Sequence, residues 1–131
     1  MEKVTEFLKK AGVFYFLTIK DGKPRGRPFG IFEVKDNCLV VITGGQKEIY
    51  KETKADPHVE LVATQGMTFW RLDGVAEEFV DKEFEKMVRE KNPFMNQLYN
   101  EQTGMTIAFF YIKNAHAQFI TGNHTDDEFD L

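Results

Sequence analysis

The run from Thr68 to Val80, Thr-Phe-Trp-Arg-Leu-Asp-Gly-Val-Ala-Glu-Glu-Phe-Val, reads as one strand too long to stay flat in a small sheet. Asp73-Gly74 sits near its middle, where an interior glycine marks a bulge. A bulged strand bends and lets a sheet curl on itself. This one segment therefore points to a barrel rather than an open sheet.

The remainder of the chain supplies partners for it. Val4, Phe7, Leu8 and Ala11 recur at helical spacing, so Val4–Lys10 is expected to be an amphipathic helix that ends at Gly12. Val13–Lys20 is aromatic and β-branched, and Asp21-Gly22 turns it into a second strand from about Arg25 to Val34. Asp36-Asn37 makes the next turn. Cys38–Thr43 is nearly continuously apolar, the pattern of a strand covered on both faces, and Gly44-Gly45 breaks it.

A helix over about Gln46–Lys54 follows, with Ile49 and Thr53 on one side and Asp56-Pro57 as its stop. Val59–Gln65 is a further strand, turned by Gln65-Gly66 into the long one. Asp81 suits the N-cap of a helix whose Phe84, Met87 and Val88 face the core, ended by Asn92-Pro93. Phe94–Met105 carries no periodic pattern. Thr106–Lys113 and Ala117–Thr121 are expected to close the sheet as a hairpin across Asn114-Ala115. The order gives a mainly β fold with peripheral helices, an antiparallel barrel of six to seven strands in one domain spanning residues 1–131. The acidic end, about 122–131, reads as a solvated tail.

Composition excludes several classes of function. With 42% apolar residues the chain can close a core, and a net charge of −4 argues against general nucleic-acid binding. Charge is unevenly spread: residues 1–60 hold 11 Lys and Arg against 9 Asp and Glu, while residues 61–131 hold 6 against 12. The single Cys38 allows no internal disulfide, lies in an apolar strand and reads as a structural thiol. His58, His116 and His124 have no metal-ligand spacing, so no metal is expected. The N-terminus is charged rather than signal-like and no run is long enough for a membrane helix, which places the chain in the cytoplasm as an expectation. The 18 Phe, Tyr and Trp residues exceed what one small core absorbs and point to an apolar subunit interface.

The chemistry concentrates in the more basic half. Thr43 ends the apolar strand, Gly44-Gly45 allows close backbone approach, and Lys47 and Lys51 stand at i and i+4 of the helix that follows. A lysine in the first turn of a helix opposes the helix dipole unless an anion lies in front of it. Backbone N–H groups, a hydroxyl and ammonium groups converging on one point suit a phosphate monoester. On the preceding strand, Arg25 and Arg27 fall on one side, and Pro28 frees backbone groups to meet the edge of a flat polar ring.

Arg27-Pro28-Phe29, the Thr43 strand end, Lys47-Glu48-Ile49-Tyr50-Lys51, Asp56-Pro57-His58-Val59-Glu60-Leu61 and Trp70-Arg71-Leu72-Asp73-Gly74-Val75-Ala76 occur in the order that resembles the pyridoxamine 5'-phosphate oxidase-like family of FMN-binding split barrels, over about residues 10–115. The resemblance implies a split barrel of the FMN-binding type and a homodimer with flavin at the subunit interface. It implies that Arg27, Pro28 and Phe29 lie along the isoalloxazine ring, Arg27 as donor to its pyrimidine edge. It sets Thr43, Lys47 and Lys51 at the phosphate end with Tyr50 nearby, counts Ile42 among the cofactor-binding residues, and puts Trp70 in a wall contributed across the interface. The chain lacks the long C-terminal segment of true pyridoxamine phosphate oxidases and looks closer to the short branch of the family, so the implied function is an FMN-dependent oxidoreductase with an undefined small-molecule substrate and no assigned catalytic acid or base. Two other readings stay open: a haem-binding or haem-degrading relative with His116 or His124 as axial ligand, and a sensor module that holds flavin without turnover.

Overall fold

The computed structural model describes residues 1–131. In chain order the elements are α1 (Glu2–Ala11), β1 (Phe14–Lys20), β2 (Lys23–Phe29), β3 (Phe32–Lys35), β4 (Cys38–Gly44), α2 (Glu48–Ala55), β5 (His58–Gln65), β6 (Thr68–Phe79), α3 (Lys82–Lys91), α4 (Met95–Leu98), β7 (Ile107–Thr121) and β8 (His124–Asp130). The strands form one antiparallel sheet in the order β2-β1-β5-β6-β7-β4-β3, with β8 also on β7.

β6 and β7 are the spine. β6 borders β7 along nearly its whole length, and the opposite edge of β7 is shared, its first half taken by β4 and its second by β8. That change of partner is the split in the barrel. It coincides with an irregularity in the ladder, which passes from Asp73 opposite His116 to Val75 opposite Lys113. Gly74 thus faces two residues, Asn114 and Ala115, and Asn114 takes up the extra length at φ 50°.

The glycine is required there by contact: a Cβ on Gly74 would lie 2.7 Å from Ile112 Cγ2 and 2.9 Å from the Lys113 carbonyl oxygen. The bulge expected at Asp73-Gly74 is present, but its extra residue belongs to β7. Asn114-Ala115, expected to be a hairpin turn, is this bulge inside one continuous strand. The hairpin lies later, between Thr121 and His124 with Gly122 at φ 58°, and the acidic segment expected to be a solvated tail forms β8. Phe119 of β7 stacks on Phe129 of β8, with ring centroids 6.0 Å apart. β8 brings the sheet to eight strands.

A second correction concerns Arg25–Val34, which is not one strand. The chain leaves β2 at Phe29, crosses Gly30-Ile31, and starts β3 on the far end of the sheet path. Those two residues join the two open edges, so the sheet must curl until the edges face one another.

β4 explains its own sequence. Leu39 and Val41 enter the main core with Phe14, Phe16, Leu61, Trp70 and Leu72, and α1 closes that core with Val4, Phe7 and Leu8. Val40 and Ile42 point the other way, into a smaller core with Phe84 and Val88 of α3 and Met95, Tyr99 and Phe109. Both faces being covered, no polar alternation is possible. Asp81 caps α3 as expected, its Oδ1 accepting from the Phe84 N–H at 2.9 Å.

Candidate functional site

Where the open edges meet, a cleft of about 420 Å³ runs between β2, the end of β4 and the segment around α4. Arg27, Pro28, Phe29, Gly30 and Ile31 form one side, and Ile42, Thr43, Lys47 and Ile49 another. Phe94, Met95, Leu98 and Tyr99 form the roof. Eight of its 13 lining residues are hydrophobic, against three of nine in the larger groove beside β3, which favours this cleft for a flat aromatic ligand. No carboxylate lines it.

The glycine turn is built tightly. A Cβ on Gly44 would lie 3.1 Å from Tyr99 Cε1, and one on Gly45 would lie 2.7 Å from Thr106 Oγ1. The pair therefore serves first to seat the turn against the roof and the start of β7. Gln46 fixes the same junction, accepting from the Thr106 N–H at 3.0 Å and donating to the Gly104 carbonyl at 3.0 Å.

α2 begins at Glu48, two residues later than expected, and leaves Lys47 as an extended N-cap at φ −77°, ψ 155°. The Lys47 side chain folds over Gly44 and into the cleft, with no carboxylate within salt-bridge distance. The N–H group of Ile49 finds no acceptor in the chain, as at any uncapped helix start, and neither does that of Gln46, which precedes the N-cap. Thr43 is 3% exposed and its hydroxyl has no hydrogen-bond partner. Buried hydroxyls are normally paired, so this one is an unmet donor and acceptor in a residue that lines the cleft.

Of the residues singled out in the sequence, the fold brings Arg27, Pro28, Phe29, Ile42, Thr43 and Lys47 to one cleft. Three others stand apart. Lys51 lies 3.5 Å from Glu48 and lines a separate groove with Lys20 and Asp21. Tyr50 packs its ring on Phe110 and donates its hydroxyl to Glu78 at 2.9 Å, which together with burial raises the phenol pKa. Trp70 is fully buried inside the main core, its indole Nε1 unpaired, and so stands in no wall that a partner could complete.

Arg27 lines the cleft, but its guanidinium turns inward: Nη2 donates to Glu52 Oε1 at 2.7 Å and Nη1 to Thr18 Oγ1 at 2.8 Å. Glu52 is held below the ordinary glutamate range chiefly by the Thr18 hydroxyl, against the opposing effect of burial, with Arg27 adding to the depression. Neither histidine of the haem reading is suitably placed. His116 binds Asp130 and Glu128 through its two ring nitrogens at 2.7 and 2.9 Å, and His124 lies on β8, on the part of β7 that β4 does not reach.

Sequence reasoning missed the roof and the Glu52 contact. The i, i+4 spacing of Phe94 and Leu98 was the available signal for the roof, but the helix there is only four residues long, with Phe94 as its N-cap. No helix is long and apolar enough to cross a membrane.

Comparison with known proteins places this geometry. A NimC/NimA family protein from Clostridium acetobutylicum superposes with a TM-score of 0.87 at 26% identity, covering 100% of this chain and 93% of the other. General Stress Protein 26 from Bacillus anthracis gives 0.75 at 16% identity, covering 99% and 97%. An FAD-binding protein from Mesorhizobium loti gives 0.59 at 17% identity, covering 92% and 94%. The search of curated proteins finds no match. The pyridoxamine 5'-phosphate oxidase family model matches residues 1–119, and with that span of the chain accounted for, the protein belongs to the pyridoxamine 5'-phosphate oxidase-like family.

Proposed function

We propose that this protein binds FMN in the cleft between β2, β4 and α4 and acts as a flavin-dependent oxidoreductase on a small molecule. The observation that carries the reading is the pairing of an ion-pair-free Lys47 with the partnerless buried hydroxyl of Thr43 at one end of a cleft lined by no carboxylate. A phosphate monoester fits that end: it is a dianion, it accepts hydrogen bonds, and the Gln46 and Ile49 N–H groups are free to donate. The rest of the cleft suits a ring, with Phe29, Ile31, Ile42 and Leu98 as apolar walls.

The flavin supplies electron transfer when bound, and the chain supplies position, exclusion of water and charge. FMN is favoured over FAD because a terminal monoester matches a single free ammonium, whereas the phosphates of FAD are internal to a diphosphate chain. Family membership supports flavin in general, and the neighbour from Mesorhizobium loti is itself described as FAD-binding.

A homodimer belongs to the same reading. Phe94 and Leu98 stand exposed on the cleft rim, and exposed Tyr15 sits opposite Pro28 in the β1–β2 ladder. A second copy packed there would cover apolar surface and shut water from the ring. The test is the visible spectrum of protein purified without added cofactor, then of the same protein titrated with FMN. Flavin absorption, with FMN the released species, is expected. Colourless protein that takes up no FMN would overturn the proposal.

A further inference from the structure

Arg27 reaches the cleft from β2 but spends its guanidinium on a buried polar triangle. Its Nη2 donates to Glu52 Oε1 at 2.7 Å, its Nη1 donates to Thr18 Oγ1 at 2.8 Å, and the Thr18 hydroxyl donates to the same Glu52 oxygen at 2.7 Å. The Glu52 side chain is 6% exposed and that of Arg27 24%. A carboxylate this buried stays charged only with such partners. Glu52 is one of three buried residues on the docking face of α2, beside Ile49 and Thr53, and ties that helix to β1 and β2 through Thr18 and Arg27.

We propose that Glu52 is a positioning residue that sets the charge of the flavin cleft: from behind the cleft wall it holds the Arg27 guanidinium turned inward and cancels its charge, leaving Lys47 the one uncompensated cation among the lining residues. The inference rests on the flavin reading above. Reduction adds two electrons and one proton to the flavin and leaves its ring negatively charged. A bare cation beside the ring stabilises that anion over the neutral oxidised ring, strongly so where water is excluded. A cancelled pair does so far less. Glu52 thereby keeps the bound flavin at a lower potential than the arginine alone would give.

Three proteins decide it: wild type, Glu52→Gln and the double variant Arg27→Gln/Glu52→Gln, each loaded with FMN and titrated anaerobically with dithionite as electron donor and water as proton source. In Glu52→Gln the affinity for reduced over oxidised FMN is expected to rise at least tenfold, which is about 30 mV for a two-electron couple. The double variant exchanges a self-cancelling pair for two neutral amides, and its ratio should stay within about threefold of wild type. An unchanged potential in folded Glu52→Gln would overturn the proposal while the flavin reading stands. If Glu52→Gln does not fold, the double variant decides alone, because a tenfold fall in its ratio would show that the Arg27 charge acts on the ring uncancelled. Wild-type protein that binds no FMN would overturn the flavin reading and this proposal with it.

Discussion

Lys47 and Lys51, four residues apart, face different grooves. They would share one helix face if both were helical, but the helix starts at Glu48, and the extended backbone of Lys47 swings its side chain back over Gly44. Lys51 stays on the helix and pairs with Glu48. Lys47→Ala should therefore weaken FMN by about 1.5–3 kcal/mol, roughly ten- to a hundredfold, and leave riboflavin binding almost unchanged. Lys51→Ala should alter neither ligand. Calorimetric titration of both variants with both ligands checks the division of labour.

Thr43 separates stability from binding. Its buried hydroxyl has no partner in the ligand-free chain, so Thr43→Val should raise stability by about 1 kcal/mol, the cost of the unsatisfied group being relieved. The same change should weaken FMN several-fold. Thermal melts with and without FMN would show the variant melting higher alone and gaining less from the ligand. A variant that melts lower in both states would contradict this role.

The split in the barrel depends on Gly74. Because a Cβ there meets the Lys113 backbone as well as Ile112, relief would have to come from the β7 bulge itself. Gly74→Ala should cost about 2–3 kcal/mol. Gly66, at φ 61° in the β5–β6 turn with open space around it, offers a control, and Gly66→Ala should cost about 1 kcal/mol from backbone strain alone. Urea denaturation midpoints give the comparison.

Acid should loosen the Arg27–Glu52 triangle. The folded Glu52 carboxyl titrates below its ordinary value of 4.5, so its contribution is fully present above that pH and is lost as pH falls through the lower folded value. Glu52→Gln mimics the protonated form. At pH 7 it should be about 2 kcal/mol less stable than wild type, less than a fully buried pair would lose because Arg27 keeps some access to water. The gap should narrow as pH drops below 4.5. A gap independent of pH would show that the carboxylate charge contributes nothing.

Much of this was legible before the structure, and the exceptions have physical causes. The two-sided burial of β4 and the cap at Asp81 followed from apolar pattern and side-chain chemistry, because both are local. Asn114-Ala115 misled because an asparagine at positive φ serves a bulge as well as a turn, and only the partner strand tells which. β8 hid behind its carboxylates: Asp127, Phe129 and Leu131 turn partly inward, an alternation visible in the sequence but overshadowed by charge. The roof over the cleft rests on a four-residue helix held by tertiary contacts, too short for periodicity to announce it. Arg27 and Glu52 meet across 25 residues, beyond any local rule, so the ion pair that holds the guanidinium could not be read from the sequence.

The position of the FMN phosphate is the most direct test of the cleft between β2, β4 and α4. A crystal structure of the protein grown with FMN should show the phosphate within hydrogen-bonding distance of Lys47 Nζ and of the free N–H groups at the start of α2, with the ring beneath Phe94 and Leu98. A phosphate bound at the Lys51 groove, or a Lys47 ammonium turned to bulk water with the cleft empty, would contradict it.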